Sequence, residues 1–179
     1  MRKLSILSYI FAGLMLSSCD GYLKEDPRDQ LYPEDAYDTP QNVYLNTVAS
    51  LYNYIGGYSD SQGLQGTYRG VYDLNTFTTD EAMLPTRGGD WYDGGFWQGL
   101  FLHKWGTNSD AIQATWEYLY KVIVLSNQSL EILGELRQKT DYNDLDRYEA
   151  EVRAFRAMYY YYLVDMFGRV PLSFLLPFR

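Results

Sequence analysis

Few residues in this chain are equipped for chemistry, and their placement narrows what that chemistry is. There is one cysteine, Cys19, and one histidine, His103. A lone thiol excludes an internal disulfide framework and a cysteine-rich zinc site, and a lone imidazole leaves little for histidine-based catalysis or metal binding. Neither a metal site nor a cofactor is expected. Carboxylates do lie near aromatic residues, at Asp73, Asp80, Glu81, Asp90 and Asp93. A glycoside hydrolase needs two carboxyl groups roughly 5–9.5 Å apart, and adjacent acids such as Asp80 and Glu81 more often cap a turn or face solvent. The abundant group is instead the aromatic ring. Phe, Trp and Tyr form 17% of the chain, with 19 tyrosines among them. Ring faces stack on planar or ring-shaped ligands and also line wet interfaces. In residues 56–108 the rings of Trp91, Tyr92, Trp97 and Trp105 are interleaved with Gly88, Gly89, Gly94, Gly95, Gly99 and Gly106. Glycine-rich loops of this kind either present rings at a surface or plug a core beneath long connections. The sequence leaves both readings open.

The cysteine has a different use. Arg2 and Lys3 precede Leu4 to Leu16, a stretch without charge. It is too short for the about 20 residues that span a bilayer, and suits the apolar region of an export signal. Leu16-Ser17-Ser18-Cys19 follows, which resembles the lipobox of bacterial lipoprotein precursors. Cys19 is thus expected to carry diacylglycerol and, after removal of residues 1–18, to become the first residue. Multiple acyl chains anchor stably where one is marginal. Residues 20–37 are polar and interrupted by Pro27 and Pro33, so residues 19–38 read as an extended tether.

The remaining composition bounds the folded part. At 179 residues the chain suits one domain or a piece of a larger one, and 46% hydrophobic content excludes a mostly disordered chain. Lys and Arg number 15 against 23 Asp and Glu, a net charge of −8. A chain with that balance and no basic block is a poor match to a phosphate backbone, so nucleic acid is not an expected partner.

Helices must position the rings. Thr39-Pro40 is an N-cap followed by proline at the first helical position. Tyr44, Thr47, Val48, Leu51, Tyr52 and Ile55 then form one helical stripe, closed by Gly56-Gly57. Residues 56–108 are expected to be mainly irregular. Two long helices follow, over 110–137 and 143–167, predicted to pair antiparallel with Trp116, Tyr120, Phe155 and Tyr159 buried. Ile112, Trp116, Leu119, Tyr120, Ile123, Asn127, Leu130 and Leu133 mark the apolar face of the first, and the amide of Asn127 within it must find partners. The second is capped by Asp141 or Asn143 and ended by Gly168, with Pro171 beyond. It carries two stripes, Tyr148-Val152-Phe155-Tyr159-Tyr162-Met166 and Ala150-Ala154-Ala157-Tyr161, which predicts cover on two sides. Glu149 and Arg153 are spaced for an ion pair, with Arg156 near the same face.

Three features coincide on one family. They are the lipobox with its proline-broken tether, the pattern Trp116-x-x-Leu119-Tyr120-x-x-Ile123-x-x-x-Asn127, and the run from Glu149 through Tyr159-Tyr160-Tyr161-Tyr162 to Gly168-Arg169-Val170-Pro171-Leu172. The run resembles the helix–Gly–x–Val–Pro signature of SusD/RagB-type nutrient-uptake lipoproteins of Bacteroidota outer membranes. Tyr68-Arg69 and Thr79-Asp80-Glu81 resemble further landmarks of that family. The resemblance implies a mainly α fold of tetratricopeptide-like helical pairs with an irregular ligand-binding region, here residues 39–179. It implies non-catalytic capture of glycan, or of other cargo such as peptide, at the cell surface beside a TonB-dependent transporter of the SusC type. The outer membrane, reached through the lipid on Cys19, is the implied location. Arg69 matches by position a ligand-contacting arginine of the starch-binding relative; Trp91, Tyr92 and Trp97 are carried over by neighbourhood. Members of the family are longer, and Ser173 to Arg179 does not match their continuation, so the chain is expected to be part of a longer protein. Two other functions compete: a helical scaffold without ligand contact, and glycoside hydrolysis.

Overall fold

Residues 71–77, 96–101, 110–139 and 145–167 are helical, and the paired long helices organise everything else. The computed structural model describes residues 35–56, 63–64 and 70–173. Residues Tyr37–Arg179 make up one compact unit. The fold is mainly α. The expectations placed on Cys19 and on Arg69 lie outside the described residues.

The first helix, α1, spans residues 40–53 in three parts: Pro40–Tyr44, a π-helical turn Leu45–Ala49, and Ser50–Asn53. Its start follows the sequence signal. The Thr39 hydroxyl accepts from the Asn42 N–H at 3.2 Å, with Pro40 in the first turn. The wide turn was not legible in the sequence. It lets Val43 and Val48, five residues apart, both be fully buried, where a regular α-helix would set them about 140° apart. Thr47 donates to the Val43 carbonyl at 2.6 Å, and Ser129 of the neighbouring helix donates to the Thr47 carbonyl at 2.9 Å. Tyr52, placed on the apolar stripe by its spacing, is instead half-exposed beyond this turn.

Helix α2 is Val71–Phe77 and α3 is Phe96–Phe101. Both lie in the segment expected to be mainly irregular. Each turns one short apolar face inward, Val71 and Leu74 from α2, Trp97 and Leu100 from α3. The connection between them holds a short extended stretch, Gly88–Trp91.

Helices α4, Asp110–Lys139, and α5, Leu145–Phe167, run antiparallel. Trp116 meets Phe167, Tyr118 meets Tyr159, Asn127 meets Arg156 and Arg137 meets Glu149, so rising numbers on one helix face falling numbers on the other. The main core lies between this pair and α1. Leu119, Val122, Ile123, Leu133, Val152, Tyr159 and Leu163 are fully buried there with Val43, Val48 and Leu51. Phe155 and Tyr159 are buried as expected, whereas Trp116 and Tyr120 are half-buried at its margin. A second face of α4, Ala111, Thr115, Tyr118, Val122, Ser126 and Ser129, is buried as well.

Two expectations for α5 need correction. Its N-cap is Asp144, whose carboxylate accepts from Arg147 instead of capping the backbone. The stripe Ala150, Ala154, Ala157 and Tyr161 is exposed, with Tyr161 at 65%, because no described element lies over it. The Glu149–Arg153 pair forms at 2.6 Å, and Glu149 also accepts from Arg137. Gly168 ends the helix at φ +74°, a conformation costly for a residue with a Cβ. The chain then turns back along the groove between α4 and α5. Tyr120 donates to the Pro171 carbonyl at 2.7 Å, and the Ser173 carbonyl accepts from Asn127 at 2.9 Å and from Tyr160 at 3.0 Å.

Candidate functional site

The connection from α2 to α4 concentrates both exposed rings and left-handed backbone. Gly88 and Gly89 have φ of +61° and +113°, and Arg87 and Asp90 exchange backbone hydrogen bonds at 2.9 and 3.2 Å around them. This is a tight two-residue turn of the kind that requires positive φ at both central positions. Trp91, Asp93 and His103 also have positive φ, at 61°, 46° and 56°. Left-handed backbone at residues bearing a Cβ costs of order 1–3 kcal/mol each and gathers at functional sites. Among the described residues these three are the only such positions, and all fall between the turn and α4.

The turn sets Trp91 and Tyr92 at the surface, 61% and 56% exposed. Tyr92 lies over Gly95, where an added Cβ would come 3.9 Å from its hydroxyl. Trp97 behaves differently. It is 4% exposed, and its ring meets Phe77 at 5.2 Å and Phe96 at 5.0 Å, both edge-on. With Leu74, Leu100 and Ala111 it forms a second, smaller core. Trp97 is therefore a packing residue in this arrangement, since stacking on a ligand needs a free ring face. Its spacing to Leu100 on one helical turn is the signal that separates it from Trp91.

Trp105 is the ring that sequence reasoning did not select. It is 45% exposed and borders two cavities. One, of about 550 Å³, is lined by Leu74, Asn75, Trp105, Thr107, Asp165 and Phe167 among others. The other, of about 410 Å³, is lined by Gly94, Gly95, Gly99, Lys104, Trp105 and Asn108 among others. The loop bearing Trp105 is pinned just before the indole, to α3 and to the end of α2. The Lys104 N–H donates to the Gly99 carbonyl at 2.7 Å, and His103 Nε2 lies 2.8 Å from the Thr78 carbonyl, which it can only approach as a donor. The His103 ring then meets Trp105 edge-on at 5.2 Å. The pattern His-x-Trp-Gly at 103–106 was the available signal.

The acids considered for hydrolysis divide between core and surface: Asp73 is buried in α2, while Asp80, Glu81, Asp90 and Asp93 are exposed. Among the described residues no group of three or more His, Cys, Asp or Glu side chains is arranged to hold a metal ion. No helix among them is long and apolar enough to cross a membrane.

Residues 34–175 match the SusD-like family described as "Starch-binding associating with outer membrane". The chain belongs to the SusD-like family. The match spans α1 to the turned-back segment after α5, and so includes both cavities and the exposed rings. The chain is also similar to SusD-like protein P25 of Formosa agariphila, 26% identical over 175 residues. That similarity covers 96% of this chain but 31% of the relative, so the chain spans about a third of that SusD-like protein's length. No solved structure matches the chain.

Proposed function

We propose that this SusD-like chain captures glycan at the outer membrane, without cleaving it, for a TonB-dependent transporter of the SusC type. Cys19 supplies the lipid anchor in this reading, and the proline-broken segment behind it sets the folded body away from the lipid. The observation that carries the reading is the glycine-built turn that holds Trp91 and Tyr92 out to solvent. Sugar rings have flat C–H faces that stack on such rings, while their hydroxyls need polar partners close by. Arg69, matched by position to the family's ligand-contacting arginine, is the polar partner proposed for this surface. Trp97 does not share the role.

The test is to incubate the chain with neutral oligosaccharides, maltohexaose first, and follow both binding and new reducing ends. Binding without new reducing ends is expected. Release of shorter sugars would instead establish hydrolysis. A scaffolding role is favoured by one feature, the exposed Ala150-Ala154-Ala157-Tyr161 face of α5. Absence of any oligosaccharide binding, with the fold intact by circular dichroism, would overturn glycan capture and favour that reading.

A further inference from the structure

We infer that the cavity between α2, the Trp105 loop and the end of α5 is a sugar-ring subsite that selects uncharged rings through Asp165. The inference rests on the glycan-binding reading above and adds to it a second place of contact and a chemical class of ligand. At about 550 Å³ the cavity has room for a hexose ring and a linkage. Its floor is apolar, with Leu74, Leu100, Ile112 and Phe167, and Trp105 forms one wall. Around that floor stand three polar side chains, Asn75, Thr107 and Asp165. None of the three has a hydrogen-bond or ion-pair partner among the described residues. Thr78, also at the rim, is already committed: its hydroxyl donates to the Leu74 carbonyl and its carbonyl is taken by His103. An apolar floor with one indole wall and a few uncommitted polar groups is the lining an amphipathic ring requires, one face hydrocarbon and the edge hydroxylated.

Charge sets the class. Among the described residues Asp165 is the only charged side chain lining this cavity, whereas the cavity on the other side of Trp105 has Lys104. An unpaired carboxylate accepts hydrogen bonds from two neighbouring hydroxyls and repels a carboxylate or sulfate on the ligand. The chain's net charge of −8 adds to that repulsion at long range. A neutral hexose polymer fits, and a uronate or sulfated one does not. His103 is a positioning residue in this account. It touches no ligand and fixes the Trp105 loop to the end of α2.

Isothermal titration of the full chain with maltohexaose, cellohexaose, mannohexaose and hexagalacturonate, at fixed ionic strength, tests the assignment. At least one neutral hexamer should bind about tenfold or more tightly than hexagalacturonate. Asp165→Asn, isosteric at an exposed position, should narrow that ratio by about tenfold, and Trp105→Ala should weaken the neutral hexamer by about 2- to 10-fold. Trp105→Phe, which keeps a ring against His103, should recover most of that loss and covers the case in which the alanine variant does not fold. A ratio unmoved by Asp165→Asn, or tight binding of hexagalacturonate, would overturn the inference while leaving glycan capture standing. Wild-type chain that binds none of the four sugars would overturn both.

Discussion

The carboxamide of Asn127 accepts a hydrogen bond from Arg156 Nη1 at 2.7 Å, and its own Nδ2 donates to the Ser173 carbonyl. One buried side chain, 4% exposed, thereby ties α4 to α5 and to the segment that turns back after Gly168. Partial burial, with Arg153 nearby, lowers the Arg156 pKa, yet the guanidinium stays protonated at neutral pH. Asn127→Leu fills the space but removes an acceptor and a donor together. It should cost about 1–3 kcal/mol in urea unfolding and speed proteolysis near residue 170. An unchanged cleavage pattern would show that Tyr120 and Tyr160 hold the segment without it.

A second polar relay crosses the core. The Tyr118 hydroxyl donates to the Tyr54 carbonyl, so the Tyr159 hydroxyl, 2.9 Å away, must donate to Tyr118. Tyr118→Phe breaks both bonds and should cost about 1–3 kcal/mol, against about 0.5–1.5 for Tyr159→Phe. Burial raises the pKa of both phenols, and the bond between the two hydroxyls raises Tyr159 further. A phenol raised in the folded state favours the neutral form there. Its contribution is complete below pH about 10, the unfolded value, and is lost as pH rises beyond it. Stability should therefore fall above pH 10, and fall less steeply in Tyr159→Phe. Parallel slopes would show that these hydroxyls do not set the alkaline limit.

How much of this could be read beforehand depends on the kind of signal. Thr39-Pro40, the stripe of α4, the Tyr148-to-Met166 stripe of α5 and Gly168 are local patterns, and each produced the element it announced, whereas the alanine stripe of α5 lies exposed. The π-turn in α1 has no such pattern, because the spacing of Val43 and Val48 makes sense only once Ser129 is known to meet the Thr47 carbonyl. Trp91 and Trp97 sit in similar glycine-rich surroundings; the local spacing of Trp97 to Leu100 hints at a packed face, and the arrival of Phe77 beside Trp97, a long-range fact, completes its burial. Asp165 was hidden for the same reason. Its helix reads as core, and only the packing of α2 against that end puts the carboxylate on a cavity wall.

Gln98 offers a test of the smaller core. Both polar atoms of its amide are buried and have no hydrogen-bond partner among the described residues, as is true of the Thr115 hydroxyl. An unsatisfied buried amide is costly, and replacing it with an apolar group of similar shape is close to neutral or stabilising. Gln98→Met should leave the melting temperature unchanged or raise it. A fall equivalent to more than about 1 kcal/mol would mean that the amide is satisfied in solution.

The proposed function depends most on glycan capture by the exposed rings of the glycine-built turn. The most direct measurement is the dissociation constant of the tightest-binding neutral hexasaccharide, compared between the wild-type chain and a Trp91→Ala/Tyr92→Ala double variant whose melting temperature matches it. Both rings are more than half exposed, so their removal should spare the fold. Each stacked ring contributes about 0.5–1.5 kcal/mol, so the double variant should bind roughly 5- to 150-fold more weakly. Equal affinity for the two proteins would contradict the account.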